Sequence, residues 1–202
     1  MYGTGKTYLA RDLLISPHKA GESYISEMGT FAAEIKSHCY NIYQKLYNSA
    51  GLDYLDVDEF YQKRKDEKFL NKDRSVRDFI CSYSDMIKDY FGKDIWASAL
   101  LSSITYKHLL NERCYEDGVT NVVVDDWRTY DESNYLESVE NVNVIKVYLS
   151  REGYVKKPSD GSIAYENIIK KEDCDIVFML KEDYSNYEEL KDLIKEKLKE
   201  YV

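Results

Sequence analysis

No stretch of this 202-residue chain is both apolar and long enough to cross a membrane, and no charged-then-apolar segment opens it as a secretory signal would. A soluble, cytoplasmic protein without a membrane partner is therefore expected. Cysteine is sparse and scattered. Cys39, Cys81, Cys114 and Cys174 form no C-x-x-C pair and do not cluster with the three histidines, which argues against a zinc site and for reduced thiols. Positive charge is also in deficit, since 28 Lys and Arg against 37 Asp and Glu leave a net charge of -9. A nucleic-acid groove would concentrate cations to release counterions from phosphates. Polymeric nucleic acid is thus not an expected partner, although a few local cations suffice for a small phosphorylated ligand. No serine or cysteine stands in a pattern with His18, His38 or His108 that suggests acyl transfer. His38 and His108 are expected on helices as partly buried side chains. There is no internal repeat and no low-complexity linker, and the length suits one domain.

One more absence frames what is present. The chain opens on Gly3-Thr4-Gly5-Lys6-Thr7, the second half of the phosphate-loop pattern G-x-x-x-x-G-K-[ST], without the leading glycine or the buried strand that normally precedes it. The part that is present carries the chemistry. Lys6 can reach β- and γ-phosphates, Thr7 can hold Mg²⁺ through its hydroxyl, and backbone N–H groups at a helix start can cradle an anion. Tyr8 to Leu14 reads as a helix with Leu9 and Leu13 on one face, the context the motif requires. A chance G-x-G-K-T string in a loop is the alternative, and this helix weighs against it. The missing half suggests a sequence that starts about one strand late.

Helical and extended patterns then alternate as in an α/β fold with a parallel sheet. A short strand is expected over Ser23 to Met28, ended by Gly29. A long amphipathic helix follows on Phe31, Ile35, Cys39, Ile42 and Leu46 and fades before Gly51. Asp53 to Arg74 is charged and weakly patterned, with a short helix around Asp58 to Asp66. Ser75 is a candidate N-cap for a helix running to Gly92, and another helix starts after Asp94. Val119 to Asp125 is the clearest strand, β-branched as a strand covered on both faces should be. Val142 to Leu149 and Asp175 to Leu180 supply two more. A final helix from about Asn186 places Tyr187, Leu190, Leu193, Ile194 and Leu198 on its buried side.

The strand Val122-Val123-Val124 runs into Asp125-Asp126-Trp127-Arg128. The carboxyl edge of a parallel strand is where ligands bind in open α/β sheets. A carboxylate there can hold magnesium or its waters, and a guanidinium can contact a phosphate bidentately. The same residues could simply end a strand in solvent; a phosphate loop in the same chain favours the site. Arg77, near a helix start, either reaches into the cleft or joins an i, i+4 surface network. Arg151 opens a segment with Gly153, Lys156, Lys157, Pro158 and Gly161, the composition of a flexible basic lid that closes over phosphates.

The run Ser75-Val76-Arg77, the later Gly92-Lys93-Asp94-Ile95-Trp96, and Val124 to Arg128 with Glu132 four residues after the arginine resemble phage-type deoxynucleoside monophosphate kinases, of the P-loop nucleoside monophosphate kinase family. Glu166 in the basic loop and the Asp173 to Leu180 strand extend the likeness, which runs from Gly3 through the final helix and rests on the order and spacing of short motifs. It implies a three-layer α/β P-loop kinase fold, with a parallel sheet, helices on both faces and no first strand. It also implies one domain over 1–202, with an acceptor-binding helical region at about 29–110 and a lid at about 151–170. The implied activity moves the γ-phosphoryl of ATP to a deoxynucleoside monophosphate with Mg²⁺. Gly3, Thr4, Gly5, Lys6 and Thr7 would bind ATP, with Thr7 and Asp126 on the metal. Arg77, Asp126, Trp127 and Arg128 would line the acceptor, and Lys6, Arg128 and the lid arginine Arg151 would act on the transferring phosphoryl group. The implied partners are nucleotides, with a homodimer as an option, in the host cytoplasm if the source is viral. The chain departs from the family in lacking the first strand and the leading glycine, and Phe178-Met179-Leu180 lacks the asparagine that commonly follows the last strand near the adenine. Another small-molecule kinase, for phosphomevalonate or a coenzyme A precursor, and a non-catalytic nucleotide-binding module are the alternatives.

Overall fold

A computed structural model describes residues 6–15, 27–53, 56–57, 59–63, 66, 68, 73–110, 121–127, 129–153 and 169–201. The chain is mixed α/β and divides into two compact units, one from residues 1–30 and 108–202 and the other from 31–107.

The first unit holds all the described strands. After α1 (Lys6–Ile15) come β1 (Glu27–Gly29), β2 (Val122–Val124), α5 (Tyr130–Ser138), β3 (Val147–Arg151), β4 (Ile176–Leu180) and α6 (Tyr187–Leu198). The strands form two parallel pairs: β1 beside β2, with Gly29 opposite Val124, and β3 beside β4, with Arg151 opposite Leu180. One apolar core joins elements far apart in sequence. Leu9 of α1, Leu149 of β3, Ile176 and Leu180 of β4, and Leu190 and Ile194 of α6 are buried together, and Val123 of β2 packs against them. Lys191 ties α6 to α1 through Asp12 at 3.0 Å.

Several boundaries move from their expected places. The first strand includes Gly29 and begins at Glu27; residues 23–26 of the expected strand lie outside the described residues, as do 119–120 of the second. All three valines of β2 are half-buried, where coverage on both faces was expected. Val142 to Lys146 is irregular and the strand starts at Val147. Asn141 has a positive φ of 64°, Val142 N–H bonds Val139 O in a turn at 3.3 Å, and Lys146 N–H donates to the Asp175 carboxylate at 2.7 Å. These residues are thus spent on a turn and a side-chain bond before the ladder can begin. On α6, Leu190 and Ile194 are buried at i, i+4, whereas Leu193, also expected inside, is 43% exposed.

The second unit is helical, with α2 (Ala32–Ser49), a π-helical turn (Glu59–Lys63), α3 (Val76–Phe91) and the greater part of α4 (Ile95–Leu110). Phe31, Ile35, Cys39, Tyr43, Phe60, Val76, Trp96 and Ala97 are buried. Tyr40 and Tyr43 meet Phe60 with ring centroids 5.4 and 4.7 Å apart. The Trp96 indole N–H donates to Ser84 Oγ at 2.9 Å. His38, expected partly buried, has a side chain 50% exposed, with Nδ1 3.3 Å from the Tyr83 hydroxyl.

The boundaries of α3 follow from local chemistry. Ser75 Oγ accepts from Asp78 N–H at 3.2 Å and the Asp78 carboxylate accepts from Ser75 N–H at 2.8 Å, a reciprocal capping box. At the far end Gly92 has φ 106°, and a Cβ there would meet Asp94 Oδ1 at 2.8 Å, so only glycine ends the helix without strain. Ser75→Ala is expected to cost about 1 kcal/mol, read as a lower melting temperature by circular dichroism at neutral pH. The Ser75 backbone N–H, its main partner, holds the Asp78 carboxyl below its ordinary value. A folded-state pKa depressed in this way contributes stability above the unfolded pKa, and that contribution is lost as pH falls through the folded value. Ser75→Ala keeps that backbone bond but removes the one the Ser75 hydroxyl donates to the Asp78 carboxylate at 2.9 Å, so the part of the mutational difference that comes from the hydroxyl should shrink in acid.

Candidate functional site

The parallel register of β1 and β2 brings the residues that leave their carboxyl ends together. Gly29 faces Val124, so the chain emerges as Thr30 on one side and Asp125-Asp126 on the other. The Thr30 hydroxyl donates to the Asp126 carboxylate, and both residues are half-buried. A carboxylate oriented in this way at a strand end can coordinate a hard cation or its waters.

Lys6 is the first residue of α1, half-buried, and α1 packs against β1. Leu9 and Ala10 face inward at 6% and 1% exposure, fixing the helix against the core one turn beyond Lys6. The opening N–H groups of a helix have no partner within it and carry its positive dipole end. A lysine there adds to a natural anion site.

Arg151 closes β3. Its Nη1 donates to the Tyr184 hydroxyl at 2.5 Å, and the guanidinium lies 5.5 Å from the centroid of that ring. Tyr184 has φ 60°, a left-handed conformation that costs a non-glycine residue about 1–2 kcal/mol. It persists because the loop after β4 is fixed on both sides. Tyr184 N–H bonds Lys181 O, and Tyr187 N–H bonds Tyr184 O, each at 3.0 Å. The Asn186 side chain accepts from Lys181 N–H at 2.9 Å and donates to Met179 O at 3.0 Å. An asparagine does then anchor the end of the last strand, six residues beyond Leu180.

Other expected site residues have local duties. The Trp127 indole N–H donates to Thr129 O at 2.8 Å. Glu132 is 6% exposed and accepts from Thr129 N–H at 3.1 Å, capping α5. In the helical unit, Arg77 is paired with Asp66, Nε to Oδ1 at 2.5 Å and Nη2 to Oδ2 at 3.3 Å, an ion pair across eleven residues and not at i, i+4. Gly3, Thr4, Gly5, Arg128, Glu166 and the basic segment with Lys156, Lys157, Pro158 and Gly161 lie outside the described residues, as does the side chain of Thr7.

The structure thus brings Asp126 to Thr30 and Arg151 to Tyr184. Lys6, Asp126 and Arg151 each stand within three residues of a member of one core, namely Leu9, Val123 and Leu149. Thr30, Tyr184 and Asn186 were missed in the sequence. Thr30 carried a faint signal, a hydroxyl residue directly after a strand-ending glycine. A tyrosine at positive φ carries none. Among the described residues no group of three or more His, Cys, Asp or Glu is placed to share a metal ion, so a cation here would take most of its oxygens from a ligand and water. Cys39 is fully buried, and burial pushes its thiol up to about 12, which excludes it as a nucleophile at neutral pH. No helix among the described residues is long and apolar enough to cross a membrane. The chain matches no protein-family model, no curated protein and no solved structure.

Proposed function

We propose that the chain is a nucleoside monophosphate kinase that moves the γ-phosphoryl of ATP onto a deoxynucleoside monophosphate. The observation that carries this reading is the attachment of Lys6, Asp126 and Arg151 to one apolar core through Leu9, Val123 and Leu149, with both Asp126 and Arg151 at the carboxyl ends of parallel strands. Those are the ends at which open α/β sheets take their ligands. The finer architecture is part of the same proposal: the two parallel strand pairs belong to one P-loop kinase sheet.

Phosphoryl transfer asks little covalent chemistry of the protein, so positioning and charge stabilisation are sufficient. Lys6 and the first N–H groups of α1 hold the β- and γ-phosphates. The Arg151 guanidinium meets charge that develops on the transferring group. Asp126, held by Thr30, and the Thr7 hydroxyl suit Mg²⁺, which would neutralise phosphate charge when bound. Arg128 is proposed for the acceptor phosphate.

The test is a panel of acceptors supplied with ATP and Mg²⁺. One or more deoxynucleoside monophosphates are expected to drive ADP formation well above the acceptor-free rate. Turnover confined to phosphomevalonate or a coenzyme A precursor would overturn the substrate assignment, and ATP binding with no transfer to any acceptor would make the chain a binding module.

A further inference from the structure

Arg151 and Tyr184 meet across 33 residues of chain, and the geometry on the tyrosine side is over-determined. The backbone of Tyr184 is held at φ 60° by hydrogen bonds at its own N–H and C=O. Ser185 N–H closes a local turn on the Asp183 carboxylate at 2.9 Å, and Asn186, 9% exposed, clamps the loop to the last strand. Gly or Asn would occupy this left-handed position with less strain. The tyrosine ring is therefore maintained against a conformational preference, and what it touches is Arg151, by a hydroxyl bond at 2.5 Å and by its ring at 5.5 Å. On the arginine side, β3 is fixed opposite Leu180, the ladder continues through Glu152 N–H to Leu180 O at 2.8 Å, and the chain then turns at Gly153 with φ 70°. Two rigid backbones thus set one guanidinium.

We propose that Tyr184 is a positioning residue that holds the Arg151 guanidinium at the carboxyl ends of β3 and β4, oriented for the phosphate groups of a nucleotide. This rests on the phosphoryl-transfer reading of Arg151 and names a residue that acts through it. An arginine side chain has many rotamers, and ordering it in advance removes that entropy loss from the reacting complex. The hydroxyl fixes the direction of the fork while the ring supports the cation.

The test uses the full chain as wild type, Tyr184→Phe, Arg151→Lys and the double variant. Tyr184→Phe keeps the ring and removes the hydroxyl. It should lower kcat about tenfold, as misplacement of a charge-stabilising group does, with KM for ATP within about twofold and the melting temperature unchanged. The double variant should be no slower than Arg151→Lys alone. Nitrogen-15 NMR should show slow rotation of the Arg151 guanidinium in the wild type and faster rotation in Tyr184→Phe. Full additivity of the two substitutions, or a kcat and guanidinium rotation unaffected by Tyr184→Phe, would overturn the proposal. If the wild type transfers no phosphate at all, the functional reading falls separately and the NMR arm decides: fast rotation in the wild type refutes positioning by Tyr184, and slow rotation released by Tyr184→Phe supports it.

Discussion

Lys6→Ala is expected to lower kcat/KM for ATP by about 10³-fold, close to 4 kcal/mol of transition-state stabilisation. The magnitude follows from where the ammonium stands. Lys6 is the first residue of α1, so its charge adds to the positive dipole end of that helix. A phosphoryl group moving between two oxygens spreads negative charge that water would otherwise have to solvate, and a preorganised cation stabilises it without reorganisation. Lys6→Arg should recover only part of the loss, because a planar fork does not replace a compact point charge at the same spot. Stability should hardly change, since Leu9 and Ala10, not Lys6, seat the helix in the core. The measurement is steady-state kinetics beside thermal melts. Wild-type kinetics in Lys6→Ala would remove the lysine from the site, and a collapse of the melt would assign it a structural role.

Leu180→Ala should destabilise the chain by about 2–5 kcal/mol. Leu180 is fully buried at the end of β4, in the core that joins α1, β2, β3, β4 and α6. Truncating it removes apolar contact and leaves a cavity between elements that cannot close inward independently. Against a total stability of order 5–15 kcal/mol, a loss of that size lowers the melting temperature by roughly 10 °C. The effect should reach the site, because Leu180 is the ladder partner of Arg151 and its carbonyl accepts from Glu152 N–H. Leu193→Ala on the exposed flank of α6 is the control, expected within about 0.5 kcal/mol of wild type. Equal melts for the two variants would contradict the placement of the core.

What was legible in the sequence is what local chemistry decides. Ser75 and Asp78 announce their helix start, and Gly92 its end, because capping and left-handed termination need nothing from the rest of the chain. Strand β4 lay almost where its apolar run placed it, since Asp175 and Leu180 bracket a short continuous segment. The strand at Val147 began five residues late because Asn141, Asp175 and Lys146 settle that boundary through a turn and a bond across 29 residues. The same holds at the site. Lys6 and Asp126 were visible as residue types after or before recognisable elements, whereas Thr30 and Tyr184 acquire their parts only through partners 96 and 33 residues away. Glu132 shows the converse: a motif position legible in sequence serves first as a helix cap.

The central claim concerns one chemical event, and phosphorus-31 NMR observes it directly. With the full chain, ATP, Mg²⁺ and a deoxynucleoside monophosphate in the tube, the ATP γ and β signals and the monophosphate signal should decline together while the signals of ADP and a deoxynucleoside diphosphate grow in equal amounts, and the conversion should be slowed about 10³-fold in Lys6→Ala. Persistence of the monophosphate signal, or release of inorganic phosphate in its place, would contradict the assignment of this chain as a nucleoside monophosphate kinase.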